Sequence, residues 1–217
     1  MTSLKVHHRV RYRTTVEPPW VKSDHDARKV VKAVKKENFQ GYVELRVGKD
    51  LLRFTQDNRQ ELVRVVCSDL GAKLTELCKD TFAIVPVPNR EGVIGADEKY
   101  QTLRLAELIA KRAKAEAADS VRWREVRPKR HVAGGWRDPQ VEYENLAVVE
   151  LPRKPIVLFD DFLTSGSQLL ATKRRLDEAG ADVLFAITVG RAIAEHRDPM
   201  MGWADEEVHW RQAGFDF

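Results

Sequence analysis

The chain has 217 residues, of which 43% are apolar and 32% charged, with a formal net charge of +4. That size and balance fit one globular domain, or one with a small appendage, able to bury a core without staples. No run approaches the ~20 apolar residues that span a bilayer, and MTSLKVHHRVRYR carries no apolar signal core, so a cytoplasmic protein with no membrane partner is expected.

Residues Leu4–Val16 alternate. Val6, His8, Val10, Tyr12, Thr14 and Val16 share one face, and His7, Arg9, Arg11 and Arg13 the other, which predicts a half-buried strand with a basic outer face. Pro18-Pro19 ends it, and Ser23 or Asp24 is expected to cap a helix that turns Ala27, Val30, Val31 and Val34 inward. Gly41–Phe54 reads as a hairpin turning at Gly48-Lys49-Asp50. Leu62, Val66, Leu70, Leu74 and Leu77 recur at helical spacing. Cys67 and Cys78 are too few for a structural zinc site and are expected to be two core thiols in a reducing compartment.

Phe82–Val87 is too short for a helix and predicts a buried strand that runs into the loop Pro88–Gly95. A helix is expected over Glu98–Ala117 and a strand at Val121–Arg124. Periodicity then fails from Glu125 to Asn145, where Pro128, Gly134, Gly135 and Pro139 mark a long loop of the kind that is usually functional. Strands are expected at Leu146–Leu151, Ile156–Phe159 and Val183–Val189, with a helix at Ser167–Ala179 stopped by Gly180. Apolar strands alternating with helices from Thr81 onward predict an α/β fold with a mostly parallel sheet covered on both faces. The division expected is 1–80, a strand, helices and a hairpin packing on the core as part of a hood, and 81–217, the core itself, the two forming a single globular unit. The tail Met200–Phe217 carries Trp203, Trp210, Phe215 and Phe217, expected to pack as core rather than to stack on a ligand.

The segment Ile156–Gln168, IVLFDDFLTSGSQ, concentrates the chemistry. An apolar strand is followed by Asp160 and Asp161, and then by the turn Thr164-Ser165-Gly166-Ser167, which opens a helix. Open α/β sheets bind ligands at the carboxyl ends of their strands, and a helix N-terminus presents N–H groups and partial positive charge to a phosphate. Gly166 lets backbone approach the ligand, and the hydroxyls add donors. Adjacent carboxylates suit a vicinal diol or a magnesium ion. A plain capped helix explains the turn but not the two acids before it.

IVLFDDFLTSGSQ resembles the signature of type I phosphoribosyltransferases. The resemblance implies a twisted, mostly parallel sheet flanked by helices, with a small hood built from N- and C-terminal segments. It also implies that Asp160 and Asp161 hold the ribose hydroxyls, directly or through Mg2+, while Thr164, Ser165, Gly166 and Ser167 hold the 5′-phosphate. VPVPNREG, Val85–Gly92, is similar to the pyrophosphate loop of competence-associated (ComF-type) members, which implies a role for Pro88, Asn89 and Arg90 on the diphosphate. TLRLAELIAKRA and ARKVVKAVK resemble two of that group's helices, but its N-terminal zinc ribbon has no counterpart, and ADEKYQ stands where it has Arg-Gly-Phe-Asn-Gln. Family members carry a closing loop in the region of Lys129, Arg130 and His131, which become candidate lid residues.

The expected activity is magnesium-dependent transfer of a phosphoribosyl group from phosphoribosyl pyrophosphate to a nitrogenous acceptor. A non-catalytic sensor of that ligand or of a nucleotide is an alternative. So is a nucleic-acid-associated protein using Arg9–Arg13 and the basic cluster Arg122, Arg124, Arg127, Lys129 and Arg130. A homodimer is a candidate assembly.

Overall fold

The computed structural model describes residues 2–15, 17, 19–47, 49–126 and 139–210. Its described elements run β1 (Ser3–Arg13), α1 (Lys22–Val34), β2 (Val43–Val47), β3 (Asp50–Phe54), α2 (Arg59–Leu77), β4 (Ala83–Pro86), α3 (Gln101–Ala113), β5 (Glu116–Ala117), β6 (Val121–Trp123), α4 (Pro139–Asn145), β7 (Leu146–Val148), β8 (Ile156–Leu163), α5 (Ser167–Glu178), β9 (Val183–Ile193) and β10 (Ala204–His209). Six strands form one sheet in the order β10-β1-β9-β8-β4-β5. All its neighbours pair parallel except β1 with β10, so the fold is α/β with a mostly parallel sheet.

The apolar runs explain the layering. Ile84 and Val85 of β4 and Ile156–Phe159 of β8 are fully buried, because each pair of adjacent residues feeds both faces. On one face Val157, Phe159 and Ile187 pack with Val30, Leu62, Leu70 and Ile109 from α1, α2 and α3. On the other, Ile156, Leu158 and Ala186 pack with Leu169, Leu170 and Leu176 of α5, and with Trp123 and Leu146 from the small sheet β6-β7. The β2-β3 hairpin pairs Val43 with Phe54 and closes over the first cluster. Among the described residues no helix is long and apolar enough to cross a membrane. Cys67 and Cys78 are both free thiols, and burial pushes Cys67 up to about 12.

Several elements depart from the expectation. β1 lies inside the sheet between β9 and β10. Its Leu4, Val6, His8, Val10 and Tyr12 are buried while Lys5 is exposed and Arg9 and Arg11 are half-buried, so the half-buried pattern holds, but the basic face is not simply solvated. Arg9 pairs with Asp69, while Arg13 donates to the carbonyls of Pro19 (2.7 Å) and Glu17 (2.9 Å). Val16 lies outside the described residues. Neither Ser23 nor Asp24 is the N-cap of α1, which is Val21. Asp24 sits inside the first turn, accepts from the Val21 N–H (3.0 Å), and is fully buried against His196 (2.9 Å). Hydrogen bonds to Asp24 and Asp198 hold the His196 imidazole above its ordinary range.

The third helix stops at Ala113, because Lys114 turns left-handed at φ 54° and its N–H caps the Ala110 carbonyl. The alanine- and lysine-rich run there contains no glycine or proline to announce the stop. The long loop ends in α4, and its residues 127–138 lie outside the described residues. β8 continues through both acids to Leu163 instead of ending at Phe159.

Helices α2 and α3 meet at Gly71. A Cβ there would lie 2.7 Å from both the Arg112 Cβ and the Ile109 carbonyl oxygen. Alanine raises intrinsic helix propensity by about 1 kcal/mol over glycine, whereas overpacking costs about 1–3 kcal/mol. Gly71→Ala is therefore expected to lower stability by about 1 kcal/mol in urea denaturation, and an unchanged or higher midpoint would contradict the close crossing.

Candidate functional site

The connections leaving β4 and β8 diverge. From β4 the chain passes through α3 to β5 on one side, and from β8 it passes through α5 to β9 on the other. α3 and α5 pack on opposite faces, so a crevice opens between the carboxyl ends of these adjacent strands. The two ends are tied together by the Val87 N–H, which donates to the Phe159 carbonyl (2.7 Å). Pairing of β8 with β4 ends at Phe159, whereas pairing with β9 continues to Leu163. The acids thus begin where β4 turns away.

Successive strand residues project to opposite faces, which separates Asp160 from Asp161. Both are half-buried, and the Asp161 N–H donates to Asp160 Oδ1 (2.8 Å). A small pocket is lined by Asp160 together with Thr164, Gly166, Ser167 and Gln168. Asp161 does not line it.

The turn itself is tightly made. Gly166 has φ +78° and is the N-cap of α5, so it offers no capping side chain to the first turn. A Cβ on it would sit 3.2 Å from Val208 of β10. Both the left-handed backbone and this contact favour glycine. The hydroxyls of Ser165 and Ser167 are 2.8 Å apart, with Ser167 buried and Ser165 exposed. The start of α5 adds its partial positive charge to this cluster of donors.

The loop after β4 is also rigid. Asn89 Oδ1 accepts from the Glu91 N–H (3.2 Å), and the Asn89 carbonyl accepts from the Gly92 N–H (3.0 Å). The buried Trp123 indole donates to the carbonyls of Pro88 and Asn89, both at 2.9 Å. Thr102 Oγ1 holds the Val87 carbonyl (2.7 Å). Pro88 is buried, Asn89 is half-buried and Arg90 is exposed, so Arg90 alone of the three extends its side chain into solvent.

Three supporting residues were not anticipated from the sequence. Arg191, at the carboxyl end of β9, donates to the Thr164 carbonyl and through Nε to Glu206 of β10 (2.7 Å). His8 is 2% exposed, lies 3.9 Å from Glu206, and has no hydrogen-bond partner on either ring nitrogen among the described residues. Burial, with help from Arg11 and Arg191, pushes the His8 imidazole down to about 4. A charge directly after an apolar parallel strand could have pointed to Arg191, as it did to Asp160. ADEEVH gave no such signal for Glu206.

Other expectations are revised. Arg122 is not part of a free basic cluster. It grips Asp119 through Nε (3.0 Å) and Nη2 (2.6 Å), and its Nη1 donates to the carbonyls of Val93 (3.0 Å) and Ala96 (2.9 Å). Asp119 also accepts from the Tyr100 hydroxyl (3.0 Å), a group that burial pushes far up. Trp203 faces Arg9 and Lys73, and Trp210 packs against Tyr143 and Arg174, so both rings are engaged within the protein. The candidate lid residues Lys129, Arg130 and His131, like Arg127, Phe215 and Phe217, lie outside the described residues.

No family model and no curated protein matches the chain. Among solved structures it is similar to orotate phosphoribosyltransferase from Aeropyrum pernix, with 18% identity, 75% of this chain and 81% of that one covered, and a TM-score of 0.41. It is similar to adenine phosphoribosyl transferase from Trypanosoma brucei in complex with AMP, pyrophosphate and ribose-5-phosphate, with 14% identity, 88% and 87% covered, and a TM-score of 0.42. It is also similar to the Saccharomyces cerevisiae adenine enzyme, with 12% identity, 76% and 89% covered, and a TM-score of 0.43.

His8 gives the site a pH signature. Its folded pKa lies below the unfolded value near 6.5, so the unfolded chain binds more protons between about 6.5 and 4. Stability is therefore expected to fall as pH drops through that window, and His8→Leu, which removes no hydrogen bond seen among the described residues, should flatten the fall. A urea midpoint equally pH-dependent in both proteins would contradict this.

Proposed function

We propose that the chain binds phosphoribosyl pyrophosphate with Mg2+ and transfers its phosphoribosyl group to a nitrogenous acceptor. The observation that carries this reading is that Asp160 shares one pocket with Thr164, Gly166 and Ser167 of the turn at the start of α5, beside the hydrogen-bonded loop that ends the neighbouring strand. In this reading the backbone and hydroxyls of Thr164, Ser165, Gly166 and Ser167 take the 5′-phosphate. Asp160 and Asp161 orient the ribose diol, and Pro88, Asn89 and Arg90 hold the diphosphate. Lys129, Arg130 and His131 close over the bound ligand and exclude water.

The donor set fits magnesium. Among the described residues no group of three metal-ligating side chains converges, and Mg2+ keeps several waters and binds through one or two carboxylates plus substrate phosphates. When bound it supplies charge neutralisation to the departing diphosphate. The protein's part is to place sugar and acceptor and to surround developing charge with fixed donors. The transition state, as in other glycosyl transfers, resembles an oxocarbenium ion, so alignment of the C1 centre matters more than covalent help.

The resemblance of VPVPNREG supports a reading nearest the competence-associated subgroup of type I phosphoribosyltransferases, and the proposed setting is cytoplasmic. A sensor of the same ligand is the second reading, favoured by the burial of His8, which keeps that imidazole from serving as a proton acceptor. The nucleic-acid reading loses Arg9, Arg13 and Arg122 to internal partners.

Calorimetry with phosphoribosyl pyrophosphate and Mg2+ tests the proposal. Asp160→Asn is expected to weaken binding at least tenfold, about 1.4 kcal/mol, and Asp161→Asn less, since Asp160 alone lines the pocket. Unchanged affinity in the double variant would remove the assignment. Pyrophosphate release across a panel of bases identifies the transferase, and binding without release identifies the sensor.

A further inference from the structure

A second cavity, of about 300 Å³, opens between β1, α1, the β2-β3 hairpin and α2. It shares no lining residue with the pocket at Asp160. Its wall is apolar where Val30, Leu45 and Val66 meet, all of them buried. Around that wall stand Arg9, Arg46 and Arg112, against the carboxylate of Asp69. The lining therefore carries excess positive charge.

Arg9 is the informative member. Its Nε donates to Asp69, but its Nη1 is buried and has no hydrogen-bond partner among the described residues. A buried charged donor without an acceptor is unfavourable. Arg9 also lines the cavity, so its guanidinium charge favours an anionic group there, and a small turn of the side chain would add a charge-assisted bond. Arg46 and Arg112 are exposed and can add their charge at the mouth. The size lies at the lower end of small-molecule sites, about 300–1,000 Å³. A concave apolar wall with cations around it does not suit a nucleic-acid backbone, which needs an extended basic surface.

We propose that this cavity binds a small amphipathic monoanion. Its acid group pairs with Arg9 and the two outer arginines, and its apolar body rests on Val30, Leu45 and Val66. The site is independent of the proposed transfer reaction and stands whether or not that reaction occurs.

The test is a fluorescence titration of the full chain with 8-anilinonaphthalene-1-sulfonate, an aromatic monoanion, followed by displacement. One saturable site is expected, displaced by decanoate at least tenfold more effectively than by uncharged 1-decanol, and not displaced by phosphoribosyl pyrophosphate. Ala72→Leu, which adds bulk to the lining, and the exposed pair Arg46→Glu with Arg112→Glu should each weaken binding at least tenfold, with circular dichroism spectra like that of the parent. Arg9 is left in place because its removal strands Asp69. If Ala72→Leu fails to fold, the charge-reversed pair decides the matter. Unsaturable fluorescence, equal displacement by decanol, or undiminished affinity in the charge-reversed pair would overturn the proposal.

Discussion

The pairing of β8 with unlike neighbours governs the rest of the structure. Parallel to β4 on one side and to β9 on the other, β8 is buried on both faces along Ile156–Phe159, and nothing but an apolar run can occupy that position. Where β4 turns off into its loop, β8 keeps only one hydrogen-bonded neighbour, and polar side chains become tolerable at the next residue. The acids stand at that point. The crevice, the tight turn and the start of α5 all follow from one strand outlasting its partner.

Around this point the supporting groups form two separate frames. One is the indole of Trp123 and the Tyr100-Asp119-Arg122 network, which fix the loop after β4 through its carbonyls. The other is Arg191 with Glu206, together with Val208 packed on Gly166, which fix the turn before α5. Holding the backbone from behind in this way preorganises the turn, because its oriented N–H and hydroxyl groups keep their geometry without rearrangement.

Much of this was legible in the sequence, for reasons that can be named. The run IVLF, the two acids and the small polar turn carry burial, chemistry and helix initiation in adjacent residues, so the β8–α5 unit could be read locally. The hairpin and the heptad-like leucines of α2 were equally local. The alternation of β1 was legible, but the partners of its arginines were not: Arg9 pairs with Asp69 and Arg13 with backbone carbonyls, contacts that periodicity cannot show. β10 was invisible because only Val208 of ADEEVH is buried, as befits an edge strand. Arg122 was counted as basic surface because its carboxylate, Asp119, lies three positions earlier in an irregular stretch where no helix signals the pair.

The placement of β1 also bears on how the chain reaches its native state. Ser3 pairs with His209, and Val6 with Ala186, so the first strand finds its neighbours only after nearly all the described chain has been made. Contacts of such long sequence separation slow folding and leave strand edges unpaired in the meantime. Glu206 and Val208, which brace the turn before α5, belong to that last-arriving strand. A nascent chain can therefore build β4, β8 and α5 well before the turn is braced, and the braced geometry of the turn is a property of the finished sheet rather than of the segment that carries the motif.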